Sequence, residues 1–117
     1  MTVGLHCIID IHLSHEDHIE RLQDLEAQLE LLSSLAQKAN AQLLNVKGHN
    51  FGEGQGVTCV AMLAESHITM HSWPEISYGA YDMFICGLDA RDKIETAVDY
   101  LHSYYNGAKF NIRYIDR

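Results

Sequence analysis

The stretch from Val3 to Leu13 alternates residue by residue. Val3, Leu5, Cys7, Ile9, Ile11 and Leu13 fall on one side, and His6, Asp10 and His12 on the other. A period of two marks a strand with one buried face. The pattern then switches at once to helical spacing, with Ile19, Leu22, Leu25, Leu29, Leu32 and Ala36 recurring at steps of three and four. That predicts an amphipathic helix over about residues 16–39, opened by a capping box of Ser14 and Asp17. An apolar strand face joined directly to an apolar helix stripe has to bury one against the other, so a sheet with helices on one side is set from the beginning of the chain.

The rest of the chain extends the same plan. Residues 41–47 read as a second strand, and Gly48 to Gly56, with four glycines and little apolar content, as a loop. Val57 to Ala64, His67 to Ser72 and Tyr81 to Cys86 read as strands, the second ended by Pro74 and the third by Gly87. Asp89 can cap a helix over about residues 90–104, with Ile94, Ala97, Val98 and Leu101 on one face. After Gly107, Phe110, Ile112 and Tyr114 alternate as a last strand. Strand, helix, several strands, helix, strand predicts an α+β fold: a two-layer α/β sandwich with a mostly antiparallel sheet and two helices on one face. The other sheet face then meets water or a second subunit.

At 117 residues the chain reads as a single domain over 1–117. Its net charge of −8 argues against nucleic acid as a partner. The three cysteines, Cys7, Cys59 and Cys86, are odd in number and two lie inside apolar runs, which argues against a secreted disulfide scaffold, and a reducing cytoplasm is expected. The start carries no basic leader, Asp10 interrupts the apolar run behind it, and no stretch approaches the roughly 18 apolar residues of a membrane span.

The chemistry concentrates in Glu65-Ser66-His67-Ile68-Thr69-Met70-His71-Ser72-Trp73-Pro74-Glu75. A serine hydroxyl can attack the carbonyl just before it and turn the amide into an ester. If that ester eliminates, the chain breaks and the serine becomes a pyruvoyl group, an electrophile made without a bound coenzyme. Eight histidines invite a metal reading. His12, His15 and His18 gather near the first strand–helix junction, but no zinc pattern accompanies them. His67 and His71 lie about 13 Å apart along one strand, too far for one ion. No metal is expected.

Together with Gly4-Leu5-His6, Gly56-Val57-Thr58 and Asp82-Met83-Phe84-Ile85-Cys86-Gly87, this block resembles the prokaryotic S-adenosylmethionine decarboxylase proenzymes, in order and spacing over about residues 4–87. The resemblance implies self-cleavage between Glu65 and Ser66, with a pyruvoyl group derived from Ser66 as the prosthetic group that condenses with the substrate amine. It implies that Thr58 supports the cyclic intermediate of cleavage, that His71 removes the α-proton of the ester, and that Cys86 protonates the substrate carbon after CO₂ leaves. Glu75 stands where the family binds ribose hydroxyls, and Phe51 where an aromatic stacks near adenine and the sulfonium. The subunits are expected to form homodimers or a higher homo-oligomer, and the product to donate aminopropyl groups for spermidine synthesis. Two other readings stay open at this point. One is a diverged pyruvoyl-dependent decarboxylase of arginine or ornithine, and the other an unprocessed, non-enzymatic relative acting as a partner subunit.

Overall fold

A computed structural model describes residues 2–117. One sheet of six strands carries all the helices on a single face, as the alternation at the start of the chain requires. The strands are β1 (Gly4–His12), β2 (Leu43–Asn50), β3 (Val57–Leu63), β4 (Ser66–Trp73), β5 (Tyr78–Cys86) and β6 (Lys109–Asp116), in spatial order β2-β3-β4-β5-β1-β6. Every neighbouring pair is antiparallel. The helices are α1 (Glu16–Leu22), α2 (Leu25–Lys38) and α3 (Ala90–Tyr104), with a 3₁₀ turn at Pro74–Ile76. α2 packs on β2, β3 and β4, and α3 on β1 and β5. The Cα extents of 43 × 27 × 19 Å are thinnest across the two layers. No helix among the described residues is long and apolar enough to cross a membrane.

The core fills the space between the layers. Leu5, Cys7, Ile9 and Ile11 of β1, Ile68 and Met70 of β4, and Met83 and Ile85 of β5 meet Leu31, Leu32 and Leu35 of α2 and Ile94, Ala97 and Leu101 of α3. Each fully buried leucine, isoleucine or methionine among them contributes roughly 1.5–3 kcal/mol relative to exposure. The alternation of β1 holds from Leu5 to Leu13, whereas Val3 precedes the strand and is exposed.

Three expectations change. The single helix over 16–39 is two helices, broken at Gln23 and Asp24. Asp24 adopts an extended conformation and its Oδ1 accepts the Ala27 amide at 3.1 Å, capping α2. Distant groups hold the break. Ser72 Oγ donates to the Leu22 carbonyl at 2.5 Å, and Gln28 Nε2 to the Arg21 carbonyl at 2.8 Å. Gln28 is fully buried and satisfied on both ends: Nε2 also reaches the Tyr105 hydroxyl at 2.9 Å, and Oε1 accepts from Tyr81 at 2.6 Å. The hydrophobic spacing runs through the break because Leu22 and α2 share the same core.

The capping box also fails. The N-cap of α1 is His15, with no side-chain cap, while Glu16 and Asp17 in the first turn complement the helix dipole instead. Finally, β2 runs on to Asn50, so the glycine-rich loop shrinks to residues 51–56. Gly48 lies inside the strand because α2 leaves no room there: a Cβ would sit 2.6 Å from Leu25 Cδ1 and 2.8 Å from Cys59 Sγ. A packing glycine thus resembles a loop glycine in the sequence.

Candidate active site

β3 and β4 form a hairpin in which Leu63 pairs with Ser66, leaving Ala64 and Glu65 as a two-residue turn. Glu65 has φ 65°, while Ala64 is not among the residues of positive φ. Favoured two-residue hairpin turns have positive φ at both central residues or at the first. Here an L-residue takes the left-handed conformation at the second, which costs about 1–2 kcal/mol. That strain lies in the backbone of Glu65, the residue just before the bond to Ser66.

β5 runs beside this turn and ends there. The Cys86 amide donates to Ser66 Oγ at 3.3 Å, and the Cys86 thiol donates to the Glu65 carbonyl oxygen at 2.9 Å. One residue therefore fixes the hydroxyl and polarises the carbonyl that precedes it. Cys86 is also the partly exposed cysteine. Burial pushes the thiols of Cys7 and Cys59 up to about 11, which keeps them protonated in the core.

At the far end of the same hairpin, Thr58 of β3 faces His71 of β4, with Oγ1 2.8 Å from Nδ1. They line a cleft of about 330 Å³ together with Phe51, Gln55, Trp73 and Glu75. Gly56 opens β3 at this cleft because a Cβ there would collide with the Ser72 carbonyl oxygen, at 1.8 Å. That close approach lets the Val57 amide donate to Ser72 Oγ at 2.9 Å. Buried Pro74 anchors the 3₁₀ turn that carries Glu75. Trp73 stacks on Tyr78 at 5.3 Å, and the Tyr78 hydroxyl donates to Asp10 at 2.5 Å. That bond, with burial behind it, pushes the Tyr78 phenol up to about 12.

The candidate residues thus form two groups. Glu65, Ser66 and Cys86 meet at one end of β4, and Thr58, His71, Glu75 and Phe51 at the other. Five residues of extended strand separate Ser66 from His71, about 16 Å. Within one chain, His71 does not reach Ser66.

Sequence spacing missed a cluster between these ends. His67 turns not toward His71 but toward His6 and Asp82, from two neighbouring strands. His6 Nε2 lies 2.7 Å from Asp82 Oδ2 and His67 Nε2 3.8 Å from it, while Thr69 donates to the other carboxylate oxygen. These are the three side chains among the described residues that converge as metal ligands could. The Arg117 guanidinium, 3.4 Å from His6 Nδ1, sets a fixed cation beside them. The arrangement reads as a hydrogen-bonded ion cluster rather than a cation site. No local motif announces it, because its members come from β1, β4 and β5.

The expected gathering of His12, His15 and His18 divides as well. His12 stacks on Tyr78 at 5.1 Å, whereas His15 and His18 pack edge to face at 5.2 Å. Burial, then the nearby Arg21 and His15, lowers the pKa of His18, which also rests against Tyr105.

Comparison with known proteins gives a consistent result. The family described as S-adenosylmethionine decarboxylase matches residues 5–117. An S-adenosylmethionine decarboxylase proenzyme of Methanococcus aeolicus is 36% identical over 115 residues, covering 98% of this chain and 93% of that one. The proenzyme of Parasynechococcus marenigrum is 45% identical over 85 residues, covering 73% of this chain. The match spans just under two thirds of that relative's length, at 63%. The crystal structure of the adenosylmethionine decarboxylase from Aquifex aeolicus superimposes with a TM-score of 0.85 at 28% identity, covering 99% of this chain and 91% of that one.

Proposed function

Since this chain belongs to the S-adenosylmethionine decarboxylase family, we propose that it is a self-processing, pyruvoyl-dependent decarboxylase of S-adenosylmethionine, one catalytic domain over residues 1–117. The observation that carries the reading is the strained Ala64–Glu65 turn, with Cys86 hydrogen-bonded to both sides of the Glu65–Ser66 bond to be cut. The identity of the relatives as S-adenosylmethionine decarboxylase proenzymes favours S-adenosylmethionine over arginine or ornithine, and an enzyme over an unprocessed partner subunit. Its product would feed spermidine synthesis. The free, buried Cys7 and Cys59 suit a reducing cytoplasm.

Processing follows from the residues present. Ser66 Oγ adds to the Glu65 carbonyl carbon, and the oxygen that gains charge accepts the Cys86 thiol hydrogen. The hydroxyl proton passes to the nitrogen as the C–N bond breaks, leaving an ester between Glu65 and the Ser66 side chain and a free amine on Ser66. A base removes the Ser66 α-proton and the Glu65 carboxylate departs. The enamine so formed takes a proton at its CH₂ carbon and becomes an imine, and water then replaces the terminal nitrogen, which leaves as ammonia, so that a keto group remains at the new terminus. His71 is the base. With Nδ1–H donated to Thr58 Oγ1, the Nε2 lone pair is free for the proton, and the Thr58 hydroxyl keeps its own hydrogen for the oxyanion.

His71 cannot act on Ser66 of its own chain, about 16 Å away. A second copy supplies it. Among the described residues nothing in one chain covers the sheet face away from the helices, and that face exposes Val60 at 42%, Met62 at 55% and Ile115 at 45%. Two such faces packed about a two-fold axis would bring the Ser66 end of one hairpin to the His71 end of the other. Each site then draws Ser66 and Cys86 from one subunit, and Thr58, His71, Glu75 and Phe51 from its partner. The homodimer is isologous and carries two sites.

The residues fit the pyruvoyl group. Ser66, its precursor, stands beside Cys86, and once formed the group supplies an electron-withdrawing carbonyl for decarboxylation. Glu75 offers a carboxylate to the ribose hydroxyls, and the Phe51 ring faces the sulfonium. Cys86 Sγ gives its proton to the substrate carbon that has lost CO₂.

Complementation tests the shared site. Ser66→Ala and His71→Ala chains each fail to process alone. Co-expressed, the Ser66→Ala subunit lends its His71 to the intact Ser66 of its partner, so only the His71→Ala chain is cut. No cleavage in mixed dimers shown to form would refute the two-subunit reading.

A further inference from the structure

We infer that His49 is a positioning residue that holds Phe51 as the aromatic wall of the cleft and so sets the affinity for a cationic, adenosine-bearing substrate. The inference rests on the reading of the cleft given above.

Phe51 begins the loop between β2 and β3 and its side chain is 56% exposed. The loop itself is fixed at the backbone. The Phe51 amide donates to the Gly56 carbonyl at 3.1 Å, and the Gly52 amide to Asn50 Oδ1 at 2.9 Å. Neither bond orients the ring. Three of the next five residues, Gly52, Gly54 and Gly56, have no side chain to pack on it. Among the described residues the one aromatic neighbour of Phe51 is His49, at 4.7 Å between centroids and 73° between planes. That is the edge-to-face arrangement aromatic pairs prefer.

His49 is well placed for this work. It lies two residues before Phe51, on the same side of the chain. It is also the register partner of Thr58, which bonds His71. One row across the hairpin thus carries ring support, hydroxyl and imidazole in sequence. His49 touches the wall and not the reacting atoms, so its loss should appear in substrate affinity.

An exposed ring without its support samples other rotamers, and only part of the population presents its face to the ligand. An aromatic pair of this kind predicts a rise in KM for S-adenosylmethionine of about threefold to tenfold in His49→Ala, with a smaller change in kcat. His49→Phe keeps an aromatic edge and restores KM to within about twofold, a rescue that a requirement for histidine chemistry would not allow. In a Phe51→Ala background, His49→Ala adds no further rise, since the ring it supports is gone.

The experiment measures CO₂ release against S-adenosylmethionine concentration for the processed wild type, the two His49 variants, Phe51→Ala and the double variant. Thermal melting of each identifies any that fail to fold, and His49→Phe then carries the comparison through its own cycle with Phe51→Ala. Wild-type turnover with an unchanged KM in His49→Ala overturns the inference alone, as does an equal penalty with and without Phe51. No turnover by correctly cleaved wild type overturns the functional reading and the inference with it.

Discussion

Replacing Glu65 by glycine should slow self-cleavage without touching any group that reacts. Glu65 is held at φ 65°, a conformation that costs an L-residue about 1–2 kcal/mol and glycine almost nothing. If the turn relaxes as the acyl group moves from nitrogen to oxygen, that energy helps cleavage in the native protein. Glycine lowers the starting state alone, and a difference of this size is a factor of roughly 5–30 in rate. Glu65→Ala keeps a Cβ and its strain, so it should cleave near the wild-type rate. Glu65→Asn should fall between, because asparagine tolerates the left-handed region better than most residues. Cell-free translation with a labelling pulse, chased and resolved on gels, follows the intact chain into its two products. Cleavage of Glu65→Gly as fast as wild type would show that backbone strain contributes nothing, and cleavage of Glu65→Ala as slow as Glu65→Gly would show that the carboxylate, not the conformation, matters.

Cys86→Ala removes the donor to the Glu65 carbonyl, and should slow cleavage about fivefold for the loss of one hydrogen bond of ~1 kcal/mol. Its processed form should release CO₂ at least about 100-fold more slowly, and normal turnover would remove Cys86 from the decarboxylation step. Gln28→Leu leaves the Arg21 carbonyl and the Tyr81 and Tyr105 hydroxyls short of a partner in the core. Urea unfolding should show a loss of about 2–4 kcal/mol, and a loss below about 1 kcal/mol would mean the two tyrosines satisfy each other. Tyr78 is pushed up to about 12 chiefly by its bond to Asp10, from an ordinary value of 10.0. Its proton therefore favours the fold fully below pH 10 and loses that effect as pH rises to about 12. Stability measured across this window should decline less steeply in Tyr78→Phe, and identical slopes would refute the assignment.

The sequence was legible where local periodicity and the core agree. β1 alternates and is buried as read, and α3 spans Ala90–Tyr104, where Ile94, Ala97, Val98 and Leu101 share a face. It was illegible where distant side chains decide. Nothing near Gln23 reveals that Ser72, 50 residues after Leu22, donates to the last carbonyl of α1, or that Gln28 satisfies another carbonyl across the break. Gly48 looks like loop and is strand because Leu25 packs onto it.

At the site, chemistry was easier to read than position. Ser66 and His71 are five residues apart in one block, yet an extended strand carries them to opposite ends of a hairpin. Cys86 is 20 residues from Ser66 and touches it, because β4 and β5 pair antiparallel from Trp73 with Tyr78 to His67 with Phe84, which brings the start of one beside the end of the other. The His6–Asp82–His67 cluster joins three strands and has no linear signature.

The intact mass of the purified protein under denaturing conditions bears most directly on whether this chain cuts itself. The account predicts two fragments, the shorter starting at position 66 with a pyruvoyl terminus that resists amine-directed sequencing until it is reductively aminated. A single 13.2 kDa chain, still carrying the Ser66 hydroxyl after prolonged incubation of folded protein, would contradict it.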